Sequence, residues 1–194
     1  GIDWSNSDYA IVSESWYDTR NTKSFLVNLK DHTFKMIEDR NYQDVYSDPG
    51  TFNHTKNAFG REVIDIKNGN AYLIGDGFTK EGQKPFLDEF NINSLKKKRL
   101  YTSNLVNSKE DIIDILDIKK GDVFVVQQSA NQYPNYFKRN IKTSKSVPIT
   151  EFKNPFSSLE NVYKEVIKYK RNDGVELTGT LYLPANYDRK AKKE

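Results

Sequence analysis

The sequence predicts an all-β fold of repeated antiparallel units, and three observations carry that prediction. The first is composition: twelve Tyr and eleven Phe stand beside few Ala, a usage that favours strands. The second is repetition. An Asn-aliphatic pair, followed by another aliphatic residue nine positions after the Asn, occurs at Asn28-Leu29 with Ile37, Asn91-Ile92 with Leu100 and Asn140-Ile141 with Ile149. A polar, turn-like linker separates the two halves each time, so each unit reads as a hairpin. The third is a C-terminal pair of alternating segments folded at Asn172-Asp173-Gly174, where Gly accepts positive φ.

Taken in order, strands are expected at Tyr9 to Trp16, Lys23 to Leu29 and Phe34 to Ile37. Residues 38–60 read as a long polar insertion containing Asp48-Pro49-Gly50, a turn in which Pro presets φ and Gly accepts φ > 0. Strands resume at 62–66, 71–75, 86–90 and 99–101, and a further round follows at 112–116, 122–127, 135–139 and 147–149. Residues 108–118, with Ser108 as a possible cap, also fit a short helix, but their β-branched content suits a strand better. In the last hairpin, Val175, Leu177, Gly179, Leu181 and Leu183 share one face of a strand that Pro184 ends.

Four short strands per roughly 40–50 residues indicate β-propeller blades. The alternative is an ordinary antiparallel sandwich with similar hairpins; the shared spacing favours the propeller. Propellers close with about 4–8 blades, so about three four-stranded blades are expected to be a piece of something larger.

Composition bounds function. The formal charge is only +3, from 30 basic and 27 acidic residues, which gives no warrant for nucleic-acid binding. No apolar run approaches the roughly 20 residues of a membrane-spanning helix. With no Cys, disulfides and thiolate metal sites are excluded, while the compartment stays open. The chain begins at Gly1-Ile2-Asp3-Trp4 without an initiator Met, and no signal peptide is visible.

Several motifs carry a resemblance. They are Ile2-Asp3-Trp4; Glu14-Ser15-Trp16-Tyr17-Asp18-Thr19-Arg20; Arg40 with Asp44-Val45-Tyr46-Ser47-Asp48-Pro49-Gly50; Asn57-Ala58-Phe59-Gly60; and Pro85-Phe86-Leu87-Asp88. The end is nearest: Tyr169-Lys170-Arg171, Asp173 to Leu177, and Thr180-Leu181-Tyr182-Leu183-Pro184. In order and over nearly the whole chain, these resemble the propellers of prolyl oligopeptidase-like serine peptidases, especially the glutamyl endopeptidase-like branch. The sequence departs from that pattern at Asn53-His54-Thr55-Lys56, where relatives carry more Arg, and at Ala185-Asn186, where Pro-Gly is usual. The resemblance implies that residues 1–160 are propeller blades. It implies that residues 161–194, with the charged tail 189–194, are the junction and first β-hairpin of an α/β-hydrolase domain. It also implies a peptide substrate, the hydrolase domain of the parent chain as partner, and a periplasmic or secreted location.

Acyl transfer of this kind needs a Ser on a nucleophile elbow, a base His and an orienting Asp. No Gly-x-Ser-x-Gly occurs, and His32 and His54 are the only histidines, so no catalytic residue is expected in this stretch. The candidate substrate-binding residues are Arg20 and Arg40, because an Arg fork holds a carboxylate bidentately. The competing reading is that both pair with Asp18, Asp44 or Asp48 and fasten a loop. Glu14 and Trp16 could face a pocket, but a core Trp and an exposed or paired Glu are the better expectation. Asp76, Asp88 and Glu89 lie near glycines without a calcium-loop spacing and read as solvated loop acids. Gly75-Asp76-Gly77 is too short for a dinucleotide fingerprint, and Lys96-Lys97-Lys98-Arg99 reads as a solvated turn. No cofactor or metal is expected. The rival to a peptidase propeller is a stand-alone protein- or glycan-binding module.

Overall fold

Three Asn side chains frame the architecture in a computed structural model, which describes residues 1–130, 132–159, 162–184 and 187–188. Asn28 Oδ1 accepts from the Lys30 amide at 3.0 Å, Asn91 Oδ1 from the Asn93 amide at 3.2 Å and Asn140 Oδ1 from the Lys142 amide at 3.1 Å. The amide of each Asn donates to the carbonyl five residues on, at Thr33, Lys96 and Lys145. Four residues after each Asn the backbone turns left-handed, at His32 (φ 57°), Leu95 (φ 58°) and Ser144 (φ 60°). The repeat read from the sequence is therefore one turn geometry used three times.

Each such turn joins the last two strands of a four-stranded antiparallel sheet. The first sheet is a meander of β1 (Ile2–Trp4), β2 (Tyr9–Trp16), β3 (Asn21–Asn28) and β4 (Phe34–Asn41). The chain continues through β5 (Thr51–Phe52), the hairpin β6 (His54–Lys56) and β7 (Glu62–Ile64), then β8 (Asn70–Gly75). A second small hairpin, β9 (Phe78–Thr79) and β10 (Gly82–Gln83), precedes β11 (Phe86–Asn91) and β12 (Lys97–Thr102). The second sheet is ordered β12-β11-β8-β5. The third takes β13 (Ser108–Asp117), β14 (Asp122–Ser129), β15 (Gln132–Asn140) and β16 (Ser146–Pro148) in sequence order.

Alternation on the shared strands packs the sheets face to face. Leu73 on β8 joins Ile11, Leu26, Ile64 and Phe90 in a core between the first and second sheets. Its neighbour Tyr72 points the other way and joins Leu87, Tyr101, Ile112, Val123 and Val125 between the second and third. Covered on both faces, β8 reads as the apolar run Ala71-Tyr72-Leu73-Ile74 rather than as an alternation. Face-packed, four-stranded antiparallel sheets among the described residues are the propeller architecture expected.

Residues 38–60 are only in part an insertion, since 42–50 and the start of the β6–β7 hairpin lie outside the four-stranded sheets. Residues 38–41 complete β4, and Thr51–Phe52 is the strand of the second sheet that opens its meander. Polar side chains on β4 and a two-residue β5 left no alternation to read. Gly50 (φ 82°) is required before β5: a Cβ there would lie 2.4 Å from the Ile74 carbonyl oxygen. Residues 108–118 contain a strand, as their β-branched content predicts.

The described residues divide into two compact units, the first made of Gly1–Ala130 and Pro134–Phe152. The second contains the hairpin of β17 (Tyr163–Lys170) and β18 (Glu176–Leu183), paired from Tyr163 with Leu183 to Lys170 with Glu176. Its turn closes where the Gly174 amide donates to Arg171 O at 2.9 Å, with Gly174 at φ 85°. Along β18, Leu177, Gly179, Leu181 and Leu183 share a half-buried face, while Val175, expected with them, precedes the strand and is exposed. The boundary at 160/161, Ala185-Asn186 and the tail 189–194 lie outside the described residues.

Candidate substrate-directing site

Arg20 and Arg40 meet at one end of the first sheet. In the β3–β4 ladder Asn21 faces Asn41 and Thr22 faces Arg40, and the Tyr42 amide donates to Arg20 O at 2.8 Å. Arg20 sits in the β2–β3 turn in the left-handed region (φ 56°), where Gly or Asn costs less. Its guanidinium lies over the Tyr17 ring, 3.7 Å from the centroid, and Nη1 donates to the Tyr42 hydroxyl at 3.2 Å. The hydrogen bond to Tyr42, then that to Tyr17, raises the already high guanidinium pKa. Both partners are neutral, and among the described residues no carboxylate lies within salt-bridge distance of this Arg.

Arg40 is held differently. Nε donates to Glu38, Nη2 pairs with Asp48 at 3.1 Å, and Nη1 donates to the carbonyls of Asn41 at 3.2 Å and Asp44 at 3.3 Å. Asp48 Oδ1 in turn accepts from the Gly50 amide at 2.8 Å. Arg40 thus ties β4 to the Asp48-Pro49-Gly50 turn and has two carboxylates as counter-ions. Sequence alone left both arginines between a substrate role and a fastening role; the geometry separates them by partner.

Trp16 corrects an expectation. It is 65 % exposed beside Tyr17 at 73 %, and neither is a core residue. Trp16 is the last residue of β2, paired with Asn21, and Tyr17 opens the turn that follows, so both stand at the exposed end of the sheet. Asp88 is likewise no solvated loop acid: it lies on β11, 6 % exposed, and accepts from Arg99 Nε and Nη2. Arg99 also lies 3.8 Å from the centroid of Phe86. The basic run is therefore only in part a turn, since Lys97, Lys98 and Arg99 belong to β12.

Three features escaped the sequence. His54 Nε2 lies 2.9 and 3.1 Å from the two carboxylate oxygens of Asp3, joining β6 to β1. A cleft of about 380 Å³ opens between the first two sheets on Ile11, Ile37, Phe52, Leu73 and Phe90, with Asp3, His54, Glu38 and Lys97 at its margins. Glu110 is buried with Tyr101, Gln127 and Arg139 between the second and third sheets. Each joins residues from different sheets, and no local spacing announces such pairs. The Tyr17–Arg20 contact alone had a local signal, an aromatic residue three positions before an Arg in one turn.

No protein-family model matches the chain. It is 36% identical over 203 residues to a probable chloroplastic glutamyl endopeptidase of Oryza sativa subsp. japonica, covering 97% of this chain and 22% of that protein. A probable chloroplastic glutamyl endopeptidase of Arabidopsis thaliana is 36% identical over 204 residues, covering 97% of this chain and 21% of its own length. The chain spans about a fifth of the length of these curated relatives. Oligopeptidase B from Trypanosoma brucei, with covalently bound antipain, superposes with a TM-score of 0.53 at 12% identity, over 98% of this chain and 32% of its own. Oligopeptidase B from Leishmania major superposes at 0.52 with 6% identity, again over 98% and 32%. At such identities the two structures bear on fold alone.

Proposed function

On the premise that this chain matches the propeller portion of a prolyl oligopeptidase-like serine peptidase, in its glutamyl endopeptidase-like branch, we propose that it directs peptide substrates. In this reading residues 1–160 are blades that limit substrate size, and residues 161–194 lead into the hydrolase domain of the parent chain. The chemistry belongs to the Ser, His and Asp of that domain; the propeller contributes charge that reads the peptide.

One observation carries the assignment of that charge. Arg20 holds a full positive charge against an aromatic ring and a hydroxyl, neither of which neutralises it. Its fork is oriented by Tyr17 and Tyr42 before any ligand arrives, which lowers the ordering cost of binding a carboxylate. Arg40 is compensated by Glu38 and Asp48 and enters as a positioning residue that fixes the segment from Asn41 to Gly50.

In the full-length peptidase, Arg20→Ala should lower kcat/KM for acidic peptides by about tenfold or more relative to neutral ones, the worth of a charge-assisted hydrogen bond. Arg40→Ala should lower both together. Equal losses for acidic and neutral peptides in Arg20→Ala would remove the substrate role.

The exposed Trp16 and Tyr17 favour a second reading, a protein- or glycan-binding module, since Trp and Tyr anchor interfaces. Saturable glycan or protein binding lost in Trp16→Ala, with unchanged peptidase kinetics, would select it.

A further inference from the structure

The cleft between the first and second sheets is bordered by an ammonium without a salt-bridge partner among the described residues. Lys97, on the outermost strand of the second sheet, borders it, and among the described residues no carboxylate lies within salt-bridge distance of its ammonium. The nearby acids are committed elsewhere. Glu38 accepts from Arg40 Nε and from Ser24 Oγ at 3.3 Å, Asp48 pairs with Arg40, and both Asp88 oxygens accept from Arg99. Across the cleft, Asp3 is paired with His54. Lys97 is exposed and water meets its three donors in the free protein, so a carboxylate entering the cleft finds them uncommitted to any acid. Although the side chain as a whole stays solvent-accessible, burial around the ammonium lowers its pKa, opposed by the fields of Glu38 and Asp88.

The rest of the lining fixes what else the occupant must be. Ile37, Phe52, Leu73 and Phe90 form an apolar floor, and about 380 Å³ is within the range of small-molecule pockets. Asp3 and Glu38 at the margins oppose a second negative charge, which disfavours phosphates and dicarboxylates. We propose that this cleft binds an amphipathic monocarboxylate, its carboxylate on the Lys97 ammonium and its apolar tail on Ile37, Phe52, Leu73 and Phe90. The site is separate from the Arg20 turn and does not depend on the peptidase reading.

The test titrates the 194-residue chain with 4-phenylbutyrate and with the matching uncharged alcohol, followed by NMR chemical-shift changes. The acid should bind saturably and more tightly than the alcohol, with shifts at Phe52, Leu73 and Phe90. Lys97→Gln should weaken the acid by roughly tenfold or more, the worth of a hydrogen bond to a charged group, and leave the alcohol unchanged. Lys97→Arg should retain acid binding, and circular dichroism confirms that both variants keep the fold. Equal affinity of the acid for wild type and Lys97→Gln, alcohol binding as tight as acid, or no saturation up to the solubility limit would each overturn the proposal.

Discussion

Tyr101 donates its hydroxyl to Glu110 at 2.6 Å, bridging the second and third sheets between two buried side chains. Burial first, and the bond to Glu110 second, push the Tyr101 pKa up from 10.0 to about 12. A folded-state pKa above the unfolded one is stability held below the unfolded value and lost as pH rises through the folded one. The chain should therefore lose stability between pH 10 and about 12. Burial raises the Tyr72 hydroxyl as well, so the informative quantity is the difference between wild type and Tyr101→Phe in urea midpoints across that window. Parallel curves would show that the Tyr101 bond contributes nothing to the slope.

Glu110 should be far less tolerant of single replacement than of paired replacement. It accepts from Gln127 Nε2 at 2.7 Å and lies 3.6 Å from Arg139 Nε, which has no hydrogen-bond partner of its own. Glu110→Ala leaves Arg139 as a buried, uncompensated cation, at a cost of about 3–5 kcal/mol. Glu110→Leu combined with Arg139→Met removes both charges and should cost much less than the two single changes together. Additive losses in urea unfolding would mean the two groups do not depend on each other.

These residues mark where the sequence stopped being readable. The Asn28, Asn91 and Asn140 turns were legible because the Asn, its amide partners and the left-handed residue lie within five positions of one another. Glu110, by contrast, carries no local signal that sets it apart within residues 108–118. Its partners come from β12, β14 and β15, and only the stacking of sheets makes it a core group. Trp16 misled for the opposite reason: its type predicts a core, but it is the last residue of β2, at the exposed end of the sheet. Arg20 and Arg40 were singled out by type and placement. What separates them, two carboxylates against a ring and a hydroxyl, depends on how the turn at Arg20 and the segment after β4 converge.

That separation has a stability signature. Arg40 links Glu38, Asp48 and two backbone carbonyls, and its side chain is only 17% exposed. Arg40→Ala should cost about 1–3 kcal/mol, the range for leaving partly buried acceptors unsatisfied. Arg20→Ala removes no ion pair, only the contacts to Tyr17 and Tyr42, and should cost less than Arg40→Ala. Thermal unfolding of the two variants side by side checks this. Equal losses would contradict the division of labour between binding and fastening.

The three repeated turns allow an internal comparison that isolates backbone strain from packing. Ser144 and Leu95 occupy the same turn position at φ 60° and φ 58°. A left-handed conformation costs a non-glycine residue about 1–2 kcal/mol, part of which Gly recovers and part of which its unfolded-state entropy cancels. Ser144 is exposed, so Ser144→Gly should stabilise by about 0.5 kcal/mol. Leu95 packs against the core between the first and second sheets, so Leu95→Gly should destabilise by about 1–3 kcal/mol despite the same backbone relief. Urea-midpoint shifts of opposite sign at two equivalent positions would show that side-chain packing, not backbone strain, keeps a non-glycine residue at Leu95. A loss at Ser144 would instead assign the turn to the residue in the left-handed conformation.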